Sequence, residues 1–505
     1  MTKVMLLQSH APTVNYTPPL GLAYLGAMLE QVGCEVRILD ASAPYASYTL
    51  RELVVECVAL RPDLIGIGIM IPWAQYSYQL IGELHRAVDV PIVAGGPHPT
   101  QLPEEALNHH ADIVVRGEGE YAIQDLVRWL QGDARLEDIA GLSYRADGKI
   151  RHNPSRTLIQ DLNALPFPAK HLFVREHYVK AAPEINKFRT LISSRGCPFG
   201  CTYCSKPVFG TAVRMRSAAS VLMEMESLME TYGMRSFNFV DDLFTVNKRR
   251  VIEFCDTILE KKLKINWKCI ARLNTVDAEL LAKMKRAGCV GINYGVESGS
   301  AETLRRARRG YTVEQAEAAL KMTYDAGIPC QANFMYGFPW ETPEHIEQTI
   351  HFIKKIELFV EMIPAGGILE PTPGTALYEE YKDEYRFQGW WLKRRLPTKP
   401  SERATVPFFE RVFFVFHNLD NNFFDYSPAM KKAIRKAGCT VGNIRLLHYA
   451  RRLTKNALLL RILWAMLYTV VLVSRSTYRV SPRLEGILMS PVLKLAERYQ
   501  EREWC

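Results

Sequence analysis

Two successive series of short apolar runs, each run followed by a helical stretch, constrain this chain more than any single motif. Over the first 130 residues the runs "KVMLLQS", "EVRILDA", "LIGIGIM", "PIVAGGP" and "DIVVRGEGE" alternate with helical patterns: "LGLAYLGAMLEQVG", then stretches near 50–60, 75–87 and 103–109, and one from about Ala122. Strands separated by helices of this kind predict an α/β fold with a doubly wound parallel sheet. Such sheets bind ligands outside the carboxyl ends of their strands. Those ends are where the sequence turns small or unusual: "TPPLG" with Gly21, "IPWAQ" with Trp73, "GGPHPT" with Gly95, Gly96, Pro97 and His98, and "GEGE" with Gly117, Glu118, Gly119 and Glu120. Gly95 and Gly96 let a backbone pass close to a ligand, and amides of a Gly-rich loop before a helix can hold phosphate. A tight turn needs the same two glycines.

The rhythm lapses over residues 131–185, where "GLSYRADGKIRHNP" reads as a hairpin and "LNALPFPAKHLF" as a Pro-punctuated linker. A second series follows, with strands in "RTLISS", "SFNFVDD", "INWKCIAR", "VGINYGVESG", "QANFMYGFP" and "IPAGGILEPTP". Six such units predict a partial (β/α)6 barrel of the TIM type. The expected division is a Rossmann-like domain over 1–140, a linker over 141–185, the barrel over 186–380, and an aromatic-rich, basic and mostly helical region over 381–505.

"GCPFGCTYCSKP" places Cys197, Cys201 and Cys204 in a C-x3-C-x2-C loop directly after the first strand of the barrel. That is the rim where barrel chemistry is located. A disulfide framework, a zinc site and an iron–sulfur cluster all use thiols. The odd total of 11 cysteines in a 505-residue chain, with an N-terminus that lacks a signal peptide's apolar region, points to a reducing cytoplasm. Structural zinc wants four ligands, and no second C-x2-C or H-x3-H pair exists here. A four-iron cluster takes one thiolate per iron, so three cysteines leave one iron open for another ligand. The remaining eight cysteines lie singly in apolar or helical stretches and read as small core residues.

With that loop in place, the chain resembles the radical S-adenosylmethionine (SAM) enzymes, whose C-x3-C-x-aromatic-C pattern is matched by Cys197, Cys201, Tyr203 and Cys204. The resemblance implies a 4Fe–4S cluster whose open iron is chelated by SAM, and a 5′-deoxyadenosyl radical that removes a substrate hydrogen. It implies a SAM site from Tyr203, Asp241 and Asp242 of "FVDDLF", Arg272 of "CIARLNT", Glu297 and Ser298 of "GVESGS", and Gly337 of "YGFPWET", where Glu341 completes a Gly-Φ-Pro-x-Glu match. Carboxylates accept from ribose hydroxyls or an ammonium, and arginine pairs with a carboxylate. Joined to the N-terminal sheet, the barrel is similar to the cobalamin-binding branch of that family, which includes methyltransferases and the anaerobic magnesium-protoporphyrin monomethyl ester cyclase group. The D-x-H-x-x-G that carries a lower cobalt ligand in other cobalamin proteins is absent. The resemblance therefore implies base-off cobalamin without a protein histidine on cobalt. His98 then lines the nucleotide tail or is hydrogen-bonded within its loop, and Trp73 packs against the lower face.

The net charge of +9 is concentrated at one end: residues 429–505 hold 15 Lys/Arg against 4 Glu, and the remainder is close to neutral. Nucleic acid is not implied. The apolar stretch 457–474, flanked by basic residues, is short for a membrane span and reads as a helix lying on an anionic membrane surface or buried in a core. The expected function is a cobalamin-dependent radical SAM methyltransferase acting on an unactivated carbon of a hydrophobic small molecule, with an external electron donor such as flavodoxin or ferredoxin. Its expected location is the cytoplasm, peripheral at the inner membrane face. The alternatives are an oxidative cyclase, ring contractase or epimerase with the same cofactors, and a non-catalytic sensor. No residue stands out as general base or radical quencher.

Overall fold

The structure, a computed structural model, describes residues 1–10, 17–46, 48–178, 189–364, 367–393, 422–453 and 469. They fall into two compact units. The first takes Met1–Pro198, Ser205–Met234 and Gln388–Ala404; the second takes Phe199–Cys204, Arg235–Phe387 and Thr405–Cys505.

In the first unit, β1 (Lys3–Gln8), β2 (Glu35–Asp40), β3 (Leu64–Gly68), β4 (Ile92–Gly95), β5 (Ile113–Val115), β6 (Leu142–Ala146) and β7 (Lys149–His152) form one sheet in the order β2-β1-β3-β4-β5-β6-β7. The first five are parallel, and the expected hairpin extends the sheet antiparallel. Asp147 and Gly148, both at positive φ, close that hairpin in a two-residue turn matching the twist of its strands. Val4 to Leu7 are fully buried because helices cover a parallel sheet on both faces. These helices are α1 (Leu20–Gln31), α2 (Leu50–Leu60), α3 (Ala74–Ala87), α4 (Pro97–Gln101), α5 (Pro103–Asn108) and α6 (Glu120–Leu130). Thr49 and Glu52 start α2 with a reciprocal capping box. The strand order reverses between β1 and β3, which makes their carboxyl ends the switch point of the sheet.

The short strands β8 (Thr190–Leu191), β9 (Ser194–Arg195) and β10 (Arg214–Met215), then α7 (Ala218–Tyr232), complete the described part of this unit that precedes Arg235. β9 and β10 pair antiparallel and carry Arg195 and Arg214. Arg195 donates to Glu118 at 2.7 Å and to Glu120 at 2.5 Å, while Arg214 spans both oxygens of Glu118 at 2.8 and 2.7 Å. The Ile159 N–H donates to the same carboxylate at 2.8 Å. All four charged side chains are buried, so each depends on its partners for the solvation it has lost.

In the second unit, β11 (Ser236–Phe239), β12 (Asn266–Ala271), β13 (Cys289–Glu297), β14 (Cys330–Tyr336) and β15 (Gly367–Ile368) pair in parallel, each with the next. Helices α8 (Lys248–Glu260), α9 (Ala278–Arg286), α10 (Ala301–Arg306), α11 (Val313–Asp325) and α12 (Pro343–Ile356) lie between them. Side-chain caps from Asn247, Asp277, Ser300 and Thr312 start four of these helices. Phe239, Phe244, Phe254 and Trp267 form the aromatic core behind β11 and β12, with the Trp267 indole N–H satisfied by the Ala287 carbonyl at 2.8 Å. α13 (Ala376–Tyr381) follows the last strand. Helix Pro428–Leu453 pairs with α12, where Lys436 meets Glu347 at 2.6 Å.

Several described aromatics of the C-terminal third are core. Trp390 and Trp391 are buried in the first unit; Phe423, Phe424 and Tyr426 are buried in the second. No helix among the described residues is long and apolar enough to cross a membrane. Except for Thr469, the stretch 457–474 lies outside the described residues.

Replacing Glu118 with Ala leaves the buried Arg214 guanidinium without its carboxylate. The expected cost is about 3–5 kcal/mol, read as a lower urea midpoint, with Glu118→Gln costing less because it keeps an acceptor for Ile159.

Candidate functional site

The cysteine loop is tied down by its backbone. In the first unit the Cys197 N–H donates to the Gly210 carbonyl at 3.4 Å and Lys206 donates to the Cys197 carbonyl at 3.0 Å. In the second, the Thr202 N–H bonds Ala307 at the end of α10 at 3.3 Å, and the Thr202 carbonyl accepts from Leu377 of α13 at 2.9 Å. Cys197 and Cys201 are half-buried and Cys204 is exposed. No group of three or more His, Cys, Asp or Glu side chains among the described residues closes around a single metal ion.

Two guanidinium groups converge on Cys201. Arg272, just past β12, points Nη1 at the Cys201 sulfur at 3.3 Å, and Arg309 points its own Nη1 there at 3.2 Å. Both side chains are buried. Arg272 lies over the Phe199 ring with its central carbon 3.8 Å from the centroid, and its Nη2 is buried with no hydrogen-bond partner. Arg309 also donates to the Tyr203 hydroxyl at 2.9 Å, the Tyr311 hydroxyl at 3.0 Å and the Gly295 carbonyl at 2.5 Å. Burial opposes its charge, yet Tyr311, Tyr203, Glu297 and Cys201 hold its pKa above the ordinary arginine value. Burial likewise pushes the Tyr203 hydroxyl well up.

Glu297 reaches this cluster through a backbone irregularity. The pairing of β13 with β14 slips between Gly295 and Glu297, and Glu297 adopts φ 72°. A bulge of this kind re-aims a side chain at a strand end. The Glu297 carboxylate folds back over Gly295, where any Cβ would stand 2.5 Å from its oxygen. It faces Arg309 at 3.8 Å. Burial pushes the Glu297 carboxyl up, opposed by Arg309, a bond from Tyr203, and Arg272.

Other expected SAM contacts separate into rim and scaffold. Asp241 is buried beyond β11, whereas its neighbour Asp242 is exposed, so the unit encloses only the first of the pair. Ser298 is fully buried, and its hydroxyl is engaged with Thr349 at 3.0 Å and the Ser300 N–H at 3.1 Å, which organises the turn into α10. Gly337 begins the loop after β14 at φ 82°. Glu341 accepts from the Gly337 and Phe338 N–H groups at 2.8 and 3.2 Å and from the Thr303 hydroxyl at 3.2 Å, so it holds the loop's shape. Burial pushes the Glu341 carboxyl up to about 7 despite these bonds. Phe338 from that loop meets the Tyr203 ring edge-on at 5.7 Å.

Sequence reasoning missed Arg309 and Tyr311. They sit in "RRARRGYT", which looks like a solvated basic run, but Arg308 takes a left-handed conformation and is exposed while Arg309 turns inward.

In the first unit the expected ligand loops do lie at the carboxyl edge of the sheet. Gly21, in the first turn of α1, and Gly117, at φ 82°, have open space where a Cβ would be. Trp73 closes a half-buried turn, Ile71–Trp73, after β3. Gly96 has a structural reason to be glycine: at φ 100° its Cβ would lie 3.0 Å from the Ile69 carbonyl oxygen. Pro97 starts α4, and Gly119 packs on Leu25. His98 is fully buried, its Nε2 bonded to Glu105 at 2.8 Å and to the Tyr78 hydroxyl at 3.0 Å. The Trp391 indole donates to the same Glu105 at 3.0 Å. Glu118 and Glu120 are bonded to Arg195 and Arg214 as above.

Residues 191–353 match the Radical SAM superfamily and residues 11–127 match the B12 binding domain. An uncharacterized methyltransferase of Pyrococcus horikoshii is 35% identical over 368 residues, spanning 72% of this chain and 78% of its own. The chain belongs to the cobalamin-binding radical SAM enzymes. The anaerobic magnesium-protoporphyrin IX monomethyl ester cyclase of Rubrivivax gelatinosus is 29% identical over 380 residues, covering 73% of this chain and 67% of that one. The fold is shared with the radical SAM methyltransferase TsrM of Kitasatospora setae, solved with cobalamin and a [4Fe-4S] cluster, at a TM-score of 0.63, 21% identity and coverage of 77% and 79%. It is also shared with the cobalamin-dependent enzyme OxsB, at a TM-score of 0.63, 19% identity and coverage of 98% and 75%.

Membership in this radical SAM branch implies a 4Fe–4S cluster, SAM and cobalamin, and the residues present fit the first two. A four-iron cluster takes one thiolate per iron, and the loop supplies three, Cys197, Cys201 and Cys204. The buried, unpartnered Nη2 of Arg272 beside Cys201 is a donor awaiting an anion, and the SAM carboxylate is one.

The raised pKa of Glu341 has a thermodynamic consequence. Between the ordinary carboxylate value and about 7 the folded chain keeps a proton on Glu341 that the unfolded chain has released. Its contribution to stability is therefore greatest below that window, falls as pH rises through it, and is constant above it. Glu341→Gln should show a smaller fall in urea midpoint than the parent between about pH 5 and 7.5.

Proposed function

We propose that this enzyme is a cobalamin-dependent radical SAM methyltransferase that places a methyl group on an unactivated carbon of a hydrophobic small molecule. The observation that carries the reading is the buried Arg272, with one nitrogen on Cys201 and another without a partner, in a chain that also holds a B12-type sheet. The name and coverage of the Pyrococcus relative favour methyl transfer. When bound, SAM and the cluster supply a 5′-deoxyadenosyl radical and cobalamin carries the methyl group.

The chain's own residues then bind and orient. Cys197, Cys201 and Cys204 hold the cluster, and Arg272 pairs with the SAM carboxylate. Glu297 and Asp241 accept from its ammonium and ribose hydroxyls, and Tyr203 and Gly337 line the adenine. Loops at the carboxyl edge of the first sheet hold cobalamin through the open backbone at Gly21 and Gly117. The corrinoid would be held base-off, since no D-x-H-x-x-G is present to supply a histidine. Trp73 covers its lower face. Flavodoxin or ferredoxin supplies electrons, and the basic C-terminal segment attaches the enzyme to an anionic cytoplasmic membrane surface.

A second reading keeps both cofactors and ends in oxidative cyclisation, ring contraction or epimerisation. The relation to the Rubrivivax cyclase favours it.

Anaerobic turnover with deuteriomethyl SAM separates the two. Labelled methyl on product is expected, together with 5′-deoxyadenosine that the Cys197, Cys201 and Cys204 to Ala triple variant does not form. 5′-Deoxyadenosine with no transferred label supports the second reading, and reductive SAM cleavage by the triple variant contradicts both.

A further inference from the structure

We propose that Arg309 is a positioning residue for the cluster: it donates to the Cys201 sulfur and thereby raises the cluster's reduction potential. The proposal rests on the assignment of a 4Fe–4S cluster to the cysteine loop.

The guanidinium is held in place without help from the sulfur. Three oxygens fix it: the Tyr311 hydroxyl on Nε at 3.0 Å, the Tyr203 hydroxyl on Nη1 at 2.9 Å and the Gly295 carbonyl on Nη2 at 2.5 Å. Its approach to Cys201 at 3.2 Å is therefore built by β13, by the Tyr311 that follows it in sequence and by the cysteine loop itself. Arg272 adds a second guanidinium at 3.3 Å on the same sulfur. The Tyr311 ring is near both cations, with centroid distances of 5.5 Å to Arg272 and 5.3 Å to Arg309, and its negative π system offsets part of their mutual repulsion. Arg272 still has Nη2 for another partner, whereas every nitrogen of Arg309 already makes a hydrogen bond.

Adding one electron from an external donor makes a cluster more negative. N–H donors to its sulfurs, and a positive charge beside them, stabilise that reduced form. Loss of Arg309 should therefore lower the potential. A merely structural effect has the opposite sign, because opening the pocket to water solvates the more negative reduced cluster and raises it. The sign of the shift separates tuning from packing.

The test is an EPR-monitored potentiometric titration of the reconstituted full-length enzyme without SAM, in the parent, Arg309→Met and Arg309→Lys. Arg309→Met is expected to reduce the reduced-to-oxidised ratio about tenfold at the parent's midpoint, a shift of about 59 mV to more negative potential for one electron. Arg309→Lys, which keeps the charge, should recover most of that shift. If Arg309→Met takes up too little iron, Arg309→Gln is titrated instead, with the same sign expected. An unchanged or more positive midpoint in a variant with full iron and sulfide overturns the proposal. A parent that binds no iron and sulfide removes the cluster assignment itself, a distinct result.

Discussion

The second unit is organised around the problem of holding two arginine charges out of water beside one cysteine. Buried charge is tolerated only where partners replace the lost solvent. Arg309 meets this with a carbonyl, two tyrosine hydroxyls and a carboxylate at 3.8 Å. Several irregular features nearby serve that end: the slip between Gly295 and Glu297, the left-handed Glu297, and the left-handed Arg308 that turns its neighbour inward. Arg272 is less complete, and its remaining nitrogen is where the pocket has room for an anion.

The first unit uses the same physics for a different purpose. Arg195 and Arg214, on the strands flanking the start of the cysteine loop, neutralise Glu118 and Glu120 from the turn after β5. Two carboxylates at the carboxyl edge of a sheet are thus each paired with buried arginine. The open backbone at Gly21 and Gly117 leaves that edge accessible to a ligand.

Much of this was legible in the sequence for definite reasons. Strand and helix positions followed from period and spacing, since short apolar runs such as "KVMLLQ" and "CVGINYGVE" alternate with helical stretches. Cys197, Cys201 and Cys204 stood out because all three thiols lie within one loop. Arg272 and Glu297 stood at strand ends, where barrel chemistry gathers. What sequence did not show depends on which way a side chain turns after the regular element stops. Arg308 and Arg309 are identical in composition and opposite in burial. Asp241 and Asp242 differ in the same way, and Ser298, beside Glu297, turns into a hydroxyl network with Thr349. Partners more than 70 residues apart, such as Glu118 with Arg195, have no local signature.

The central claim is that the three-cysteine loop leaves one iron for SAM, with Arg272 waiting beside it. Electron–nuclear double resonance on the reduced cluster, with SAM labelled by ¹⁵N at the amino group and ¹⁷O at the carboxylate, tests it directly. Strong couplings to both labels are expected in the parent, with the carboxylate coupling altered in Arg272→Met. A reduced cluster that shows no coupling to either label at saturating SAM would contradict the account.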